Sequence, residues 1–203
     1  MSVAILLLAA GGSTRMRGGD KLLETLDGEP LLRRSARAAL ASKARETVVV
    51  LGANRSAREG ALAGLPVRIV AHEGWRGGMG TSIAAGAAAL APGTAVLVLP
   101  ADMPDIAPAL LDRLIAALPP DAPRAIARPR TAAGASGNPV LFGPAHLPAL
   151  AALDGDDGAR EIVARNRASL AYLDDAGEGV LVDLDTPEAW AAYRAARRRG
   201  NTN

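Results

Sequence analysis

The sequence predicts one three-layer α/β/α domain with a mostly parallel sheet, and three observations carry that prediction. The 203-residue chain is 49% hydrophobic, enough to bury one sizeable core and unlike a disordered segment. Short leucine-rich or β-branched runs alternate with alanine-rich helical stretches, the pattern of strand–helix–strand units. No linker long enough to divide the chain interrupts that alternation, and no internal repeat is present. Residues 1–193 are therefore expected to form the domain, with 194–203 as a basic tail.

The first run, Val3–Leu8, reads as a buried strand. With Ala9 and Ala10 it is still far shorter than the ~18 apolar residues of a membrane span, and it lacks a basic leader. "PLLRRSARAALAS", from Pro30, predicts a helix: proline suits the first turn, Leu31, Leu32, Ser35, Ala36, Ala39 and Leu40 share one face, and Arg33, Arg34 and Arg37 point to solvent. Strands at Thr47–Leu51 and Val67–Ala71 follow, then a helix over Thr81–Leu90 opened by a Thr/Ser pair able to cap it. A strand at Ala95–Leu99 precedes a helix over Ala107–Leu118, with Asp105 as its cap. Strands at Ala125–Arg128 and Val140–Phe142 come next, and Pro119–Pro139 is expected to form an irregular flap over the sheet edge. A helix over Gly158–Arg165, a strand at Gly179–Leu184 and a helix over Thr186–Arg198 complete the chain, the last opened by Thr186 before Pro187.

Composition excludes several classes of function. Formal charge is +2, but Arg194, Arg197, Arg198 and Arg199 lie in the tail, expected to be a solvated end, so the basic character belongs to the tail. With two tryptophans, two tyrosines and one phenylalanine, the chain is poor in stacking platforms and does not read as a nucleic-acid binder. It has no cysteine, which excludes disulfides, thiolate catalysis and cysteine-ligated metal and suits a reducing cytoplasm. No membrane association is expected.

The chemistry concentrates at the ends of strands. In open parallel sheets ligands bind beyond the carboxyl ends of the strands, and the first strand-to-helix loop is a common phosphate cradle. "LLLAAGGSTRMRGGDKLL", residues 6–23, occupies that place. Gly11 and Gly12 let backbone N–H groups converge on an anion, and Arg15 and Lys21 supply positive charge for a triphosphate. The loop matches neither G-x-x-x-x-G-K-[ST], since Asp20 precedes Lys21 and Leu22 follows it, nor G-x-G-x-x-G, which argues against a P-loop NTPase and an ordinary dinucleotide dehydrogenase. "VLVLPADMPDI", residues 96–106, is a second buried run ending in an acid, and Asp102 is the natural ligand for the hard divalent cation a triphosphate brings. Asp183 and Asp185, two apart in "VLVDLDTPEAW", face one side of an extended segment. One of them could complete the metal shell while Asp185 or Thr186 caps the last helix.

The ordered set "LLLAAGGSTRMRGGDKLL", "GWRGGMGTSIAAG", "LPADMPDI", "GNPVLF", "GDDGAR" and "VDLDTPEAW" resembles the molybdenum cofactor nucleotidyltransferases, especially the cytidylyltransferase branch. The resemblance runs from residue 3 to about 193 and implies a Rossmann-like fold of the nucleotide-diphospho-sugar transferase type. It implies transfer of CMP from CTP to the terminal phosphate of molybdopterin, with Mg2+ and with release of pyrophosphate. Leu8, Ala9, Ala10, Gly11, Gly12 and Ser13 would surround the nucleotide, Arg15 would meet the β and γ phosphates, and Lys21 the α phosphate. Gly78, Met79, Gly80, Thr81 and Ser82 would contact base and ribose. Asp102 would hold the metal, assisted by Asp183 or Asp185, and Asn138, Asp156 and Arg160 would line the acceptor pocket. A molybdenum hydroxylase or its maturation factor would receive the product. Arg17 stands where the family has a glycine after "RM", and "GGDK" resembles the guanylyltransferase branch, so GTP is the alternative donor. A nucleotide-binding carrier of the cofactor and a pyridine-nucleotide oxidoreductase are further readings. The two histidines, His72 and His146, read as incidental polar residues.

Overall fold

The computed structural model describes residues 2–200. The chain forms β1 (Val3–Ala9), a small hairpin of β2 (Thr25–Leu26) and β3 (Glu29–Pro30), α1 (Leu31–Leu40), β4 (Glu46–Leu51), α2 (Arg55–Ala61) and β5 (Arg68–Ala71). There follow α3 (Met79–Ala88), β6 (Ala95–Pro100), α4 (Pro108–Ala116), β7 (Ile126–Pro129), β8 (Val140–Phe142), α5 (Leu147–Ala151), α6 (Arg160–Arg165), β9 (Leu170–Leu173) and α7 (Pro187–Gly200). Seven strands make one sheet in the order β5-β4-β1-β6-β8-β7-β9, parallel throughout except for β8, which is antiparallel to both its neighbours.

Strand periodicity distributes side chains between two cores. On one face Ile5, Leu7, Val49, Leu97 and Leu99 pack with Leu32 and Ala36 of α1 and Leu110, Leu111 and Leu114 of α4. On the other, Ala4, Leu6, Val48, Val96 and Val98 pack with Ile83 of α3, Leu150 of α5 and Ile162 of α6. Full burial of each such leucine or isoleucine contributes about 1.5–3 kcal/mol, so the central strands anchor the molecule. Because Ala9 pairs with Leu51 and Leu8 with Pro100, the carboxyl ends of β4, β1 and β6 lie level and open onto one rim.

Several expectations need correction. Gly179–Leu184 is no strand: Glu178–Leu181 forms a 3-10 turn and Leu184 is tied to Asp102 by a single backbone bond of 3.1 Å. The glycines around Glu178 favour the turn over a ladder. The last strand is instead β9, an exposed edge whose short, mixed sequence gave no burial signal. The Pro119–Pro139 stretch does not merely cover an edge, since its centre is β7, lying between β8 and β9. The helix expected from Thr81 starts at Met79, behind Gly78 at φ 107°, and the Thr81 hydroxyl donates to the Gly78 carbonyl. Asp105 does not cap α4; it accepts a hydrogen bond from the Tyr193 hydroxyl, and with burial this pushes the phenol's pKa up to about 12.

Within the basic tail, Arg194 and Arg197 are docked rather than solvated, and residues 201–203 lie outside the described residues. Arg194 stacks over Trp190 and donates to Glu24 and to the Thr25 carbonyl, and Arg197 pairs with Asp27, so α7 clasps the β2–β3 hairpin. Trp190 is buried with Met16, Leu26, Leu31 and Leu184 in a third apolar cluster. No described helix is long and apolar enough to cross a membrane.

Candidate active site

Beyond the level ends of β1 and β6 lies a cleft of about 600 Å3. Leu8 to Ser13, Arg15, Lys21, Gly78, Met79 and Ser82 line it, together with Asp102 and Asp185. Gly80 and Thr81 do not reach it: Gly80 packs under the Asp154 and Gly155 carbonyls, and Thr81 bonds His72 and the Gly78 carbonyl. The loop after β1 curls through a 3-10 turn at Thr14–Met16, flanked by Ser13 and Arg17 at φ 52°. Gly12 sits against the Trp75 ring, and a Cβ at Gly52 would stand 2.6 Å from the same side chain. Trp75 thus forms a wall of the cleft by filling the space those glycines leave.

Charges converge at the floor. The Lys21 ammonium donates to Asp102 Oδ2 and to Asp185 Oδ1, each 2.5 Å away, and Arg15 pairs with Asp185 Oδ2 at 2.6 Å. Burial alone would lower the Lys21 pKa, but Asp102 first and then Asp185 outweigh it and hold the ammonium above its usual range. Thr186 donates no such charge; its hydroxyl accepts from the Ala189 N–H and caps α7, leaving Asp185 free for Lys21. Asp183 is exposed and does not line the cleft, yet it lies beside the same charges: desolvation first, then Asp185 and Asp102, raise its pKa. Among the described residues the three aspartates do not form one metal cage. Asp102 and Asp185 nevertheless fit a hard divalent cation: both are carboxylates aimed at one point, and Asp102 Oδ1 is buried without a hydrogen-bond partner.

A second cavity, about 620 Å3, adjoins the first and shares Met79, Pro100 and Asp156 with it. Asn138, Asp156 and Arg160 all line it, joined by Arg128, Arg167 and Tyr172, which the sequence reading missed. Arg128 leans on the Gly137 carbonyl at 2.7 Å; burial and the nearby Arg160 both lower its pKa, and Asp156 and Asp157 line the same cavity as the arginines. The two cavities are stitched together by backbone: the Gly80 N–H donates to the Gly155 carbonyl at 2.8 Å, and a Cβ on Gly78 would strike Asp156 and Gly155. Met79, half exposed, stands at their junction.

Two further residues escaped sequence reasoning. Arg58, on α2, is fully buried, and Asp20 is nearly so; they form a bidentate ion pair behind the loop that follows β1. Burial pushes the Asp20 carboxyl up, but bonds from Arg58 and Asn54 and the Arg58 charge more than reverse this, leaving it below the usual carboxylate range. The available signal was an aspartate inside a glycine-rich loop and an arginine within an otherwise weak helical stretch. Both histidines are structural: His72 bonds Thr81, and His146 is buried on the Arg124 carbonyl.

Comparisons with known proteins bear on the family and the fold. Residues 5–170 match the MobA-like NTP transferase domain. The nicotine blue oxidoreductase of Paenarthrobacter nicotinovorans is 31% identical over 194 residues, covering 90% of this chain and 91% of that protein. The molybdenum cofactor guanylyltransferase of Burkholderia ambifaria strain MC40-6 is 41% identical over 121 residues, 58% of this chain and only 57% of that protein. In structure, Rv0371c from Mycobacterium tuberculosis superposes with a TM-score of 0.81 at 27% identity, covering 95% of this chain and 97% of that one. That protein has also been solved with manganese, at 26% identity and a TM-score of 0.79. A glycine-rich loop after the first strand, a charged cleft at the strand ends and a family match over most of the chain lead to one conclusion: the protein belongs to the MobA-like NTP transferase family and is an enzyme of the nucleotidyltransferase class.

Proposed function

We propose that the protein transfers CMP from CTP to the terminal phosphate of molybdopterin, releasing pyrophosphate and forming the cytosine dinucleotide of the cofactor. The observation that carries this reading is the pair of cavities meeting at Met79, Pro100 and Asp156, one lined by the loop after β1 with Arg15 and Lys21, the other by Arg128, Arg160 and Arg167 with room for a second substrate. A phosphate monoester has a second pKa of about 6, so the acceptor is already ionised at neutral pH and no general base is needed. An acceptor oxygen attacks the α-phosphorus, the bond to the bridging oxygen breaks, and that oxygen leaves with pyrophosphate. The chain supplies alignment and charge neutralisation. Arg15, exposed at the rim, suits the β and γ phosphates; Lys21, on the floor, suits the α phosphate; Arg160 and Asn138 suit the acceptor. Asp102 and Asp185 would hold Mg2+, which when bound offsets phosphate charge. The product would pass to a molybdenum hydroxylase or its maturation factor in the cytoplasm.

Two relatives favour rival readings of the same site. The guanylyltransferase named above favours GTP as donor, and the oxidoreductase favours pyridine-nucleotide chemistry. Calorimetric titration with CTP, GTP, ATP and UTP in the presence of Mg2+ separates the donors. Preference for CTP, abolished in Asp102→Ala together with acceptor-dependent pyrophosphate release, is the expected result. Preference for GTP moves the protein to the sister branch. Oxidation of NADPH without pyrophosphate release would overturn the transferase reading.

A further inference from the structure

Arg58 touches neither cavity, yet each of its three guanidinium nitrogens donates to a partner in or beside the loop after β1. Such a group has five N–H donors and no acceptor, so its partners describe what it fixes. Nε and Nη2 each donate to the Asp20 carboxylate at 2.9 Å, Nη1 donates to the Ala9 carbonyl at 2.7 Å, and Nη2 also reaches the Gly11 carbonyl at 2.8 Å. The intervening Ala10 carbonyl accepts from the Ala53 N–H at 2.9 Å. Three consecutive carbonyls are thereby held toward α2. In a trans peptide the N–H points opposite to the C=O, so the same bonds turn the N–H groups of Ala10, Gly11 and Gly12 the other way, toward the cleft those residues line. Asp20 is itself fixed by Asn54 Nδ2 and the Leu22 N–H, both at 3.0 Å, and directly precedes Lys21.

We infer that Arg58, clamped by Asp20, is a positioning residue that presets the backbone amides of residues 10–12 as a phosphate cradle before any nucleotide arrives. The inference rests on the nucleotidyl-transfer reading for its ligand, the triphosphate chain. Preset N–H groups bind an anion without reorganising at the moment of binding. The fork shape matters as well as the charge: a lysine ammonium is a point charge and cannot span Asp20, Ala9 and Gly11 together.

The test compares the unaltered protein with Arg58→Lys and with the double variant Asp20→Asn/Arg58→Gln, which removes both charges so that neither is left buried alone. Each is titrated with CTP and with CMP, and amide hydrogen exchange at Ala53, whose N–H is held by the Ala10 carbonyl, is followed without nucleotide. In variants that melt cooperatively, CTP affinity should fall about a hundredfold, the cost of displaced positioning contacts, and CMP affinity far less. Exchange at Ala53 should accelerate. A merely structural arginine would leave the CTP-to-CMP ratio and that exchange unchanged in a folded variant, and this result would overturn the inference. If Arg58→Lys does not fold, the double variant decides. If the unaltered protein binds no nucleotide, the transferase reading falls, and exchange alone decides whether Arg58 presets the loop.

Discussion

At the scale of single residues, the site depends on charges that neutralise one another. Asp20 is the clearest case, because its carboxyl is held below its ordinary value by Arg58 and Asn54 in spite of burial. A carboxyl whose pKa is lower in the folded than in the unfolded chain adds stability above the unfolded value of about 3.9, and that contribution disappears as pH falls through the folded value. Denaturant midpoints measured from pH 7 down to pH 3 should therefore drop, and the double variant Asp20→Asn/Arg58→Gln should flatten the part of the drop that Asp20 supplies. Removing Arg58 alone should cost about 3–5 kcal/mol, since a buried carboxylate would be left unpaired. Sequence made Arg15, Lys21 and Asp102 legible, because cations in a glycine loop and an acid at a strand end have an obvious use. It did not reveal that Lys21 bridges Asp102 and Asp185, a contact between positions 164 residues apart that no local pattern encodes.

At the scale of elements, the turn into α3 and the loop before α6 act as one piece. Gly80 permits this: an added Cβ would lie 2.5 Å from the Asp154 carbonyl oxygen, a backbone atom with little freedom to retreat. Gly80→Ala should separate the two segments, weaken binding of nucleotide and acceptor together, and lower the melting temperature; calorimetry with each substrate and a thermal melt check it. A loss confined to one substrate would show that the cavities are independent. The long strands and α1 were legible from apolar runs and a one-sided helical face. β9 and α2 were not, because β9 is largely exposed and the buried residue of α2 is an arginine. Asp183 shows how far spacing arguments reach: with buried Leu184 between them, Asp183 and Asp185 share one side of the segment, but only Asp185 lines the cleft, where Lys21 and Arg15 hold it.

At the scale of the whole molecule, the last helix is a clasp on the first hairpin. Ending the chain after Tyr193 should remove the Arg194 and Arg197 contacts at a cost of about 1–2 kcal/mol, since exposed ion pairs are each worth at most about 1 kcal/mol. The turnover number should persist, because Asp185, Leu184 and Trp190 remain; a rate assay beside a denaturation curve separates the two effects. Joining Lys21 to Asp185 also couples two distant stretches of the sequence: the segment that carries Asp185 supplies Trp190 behind Met16 as well, so the loop after β1 and the start of α7 loosen or tighten as one unit rather than separately.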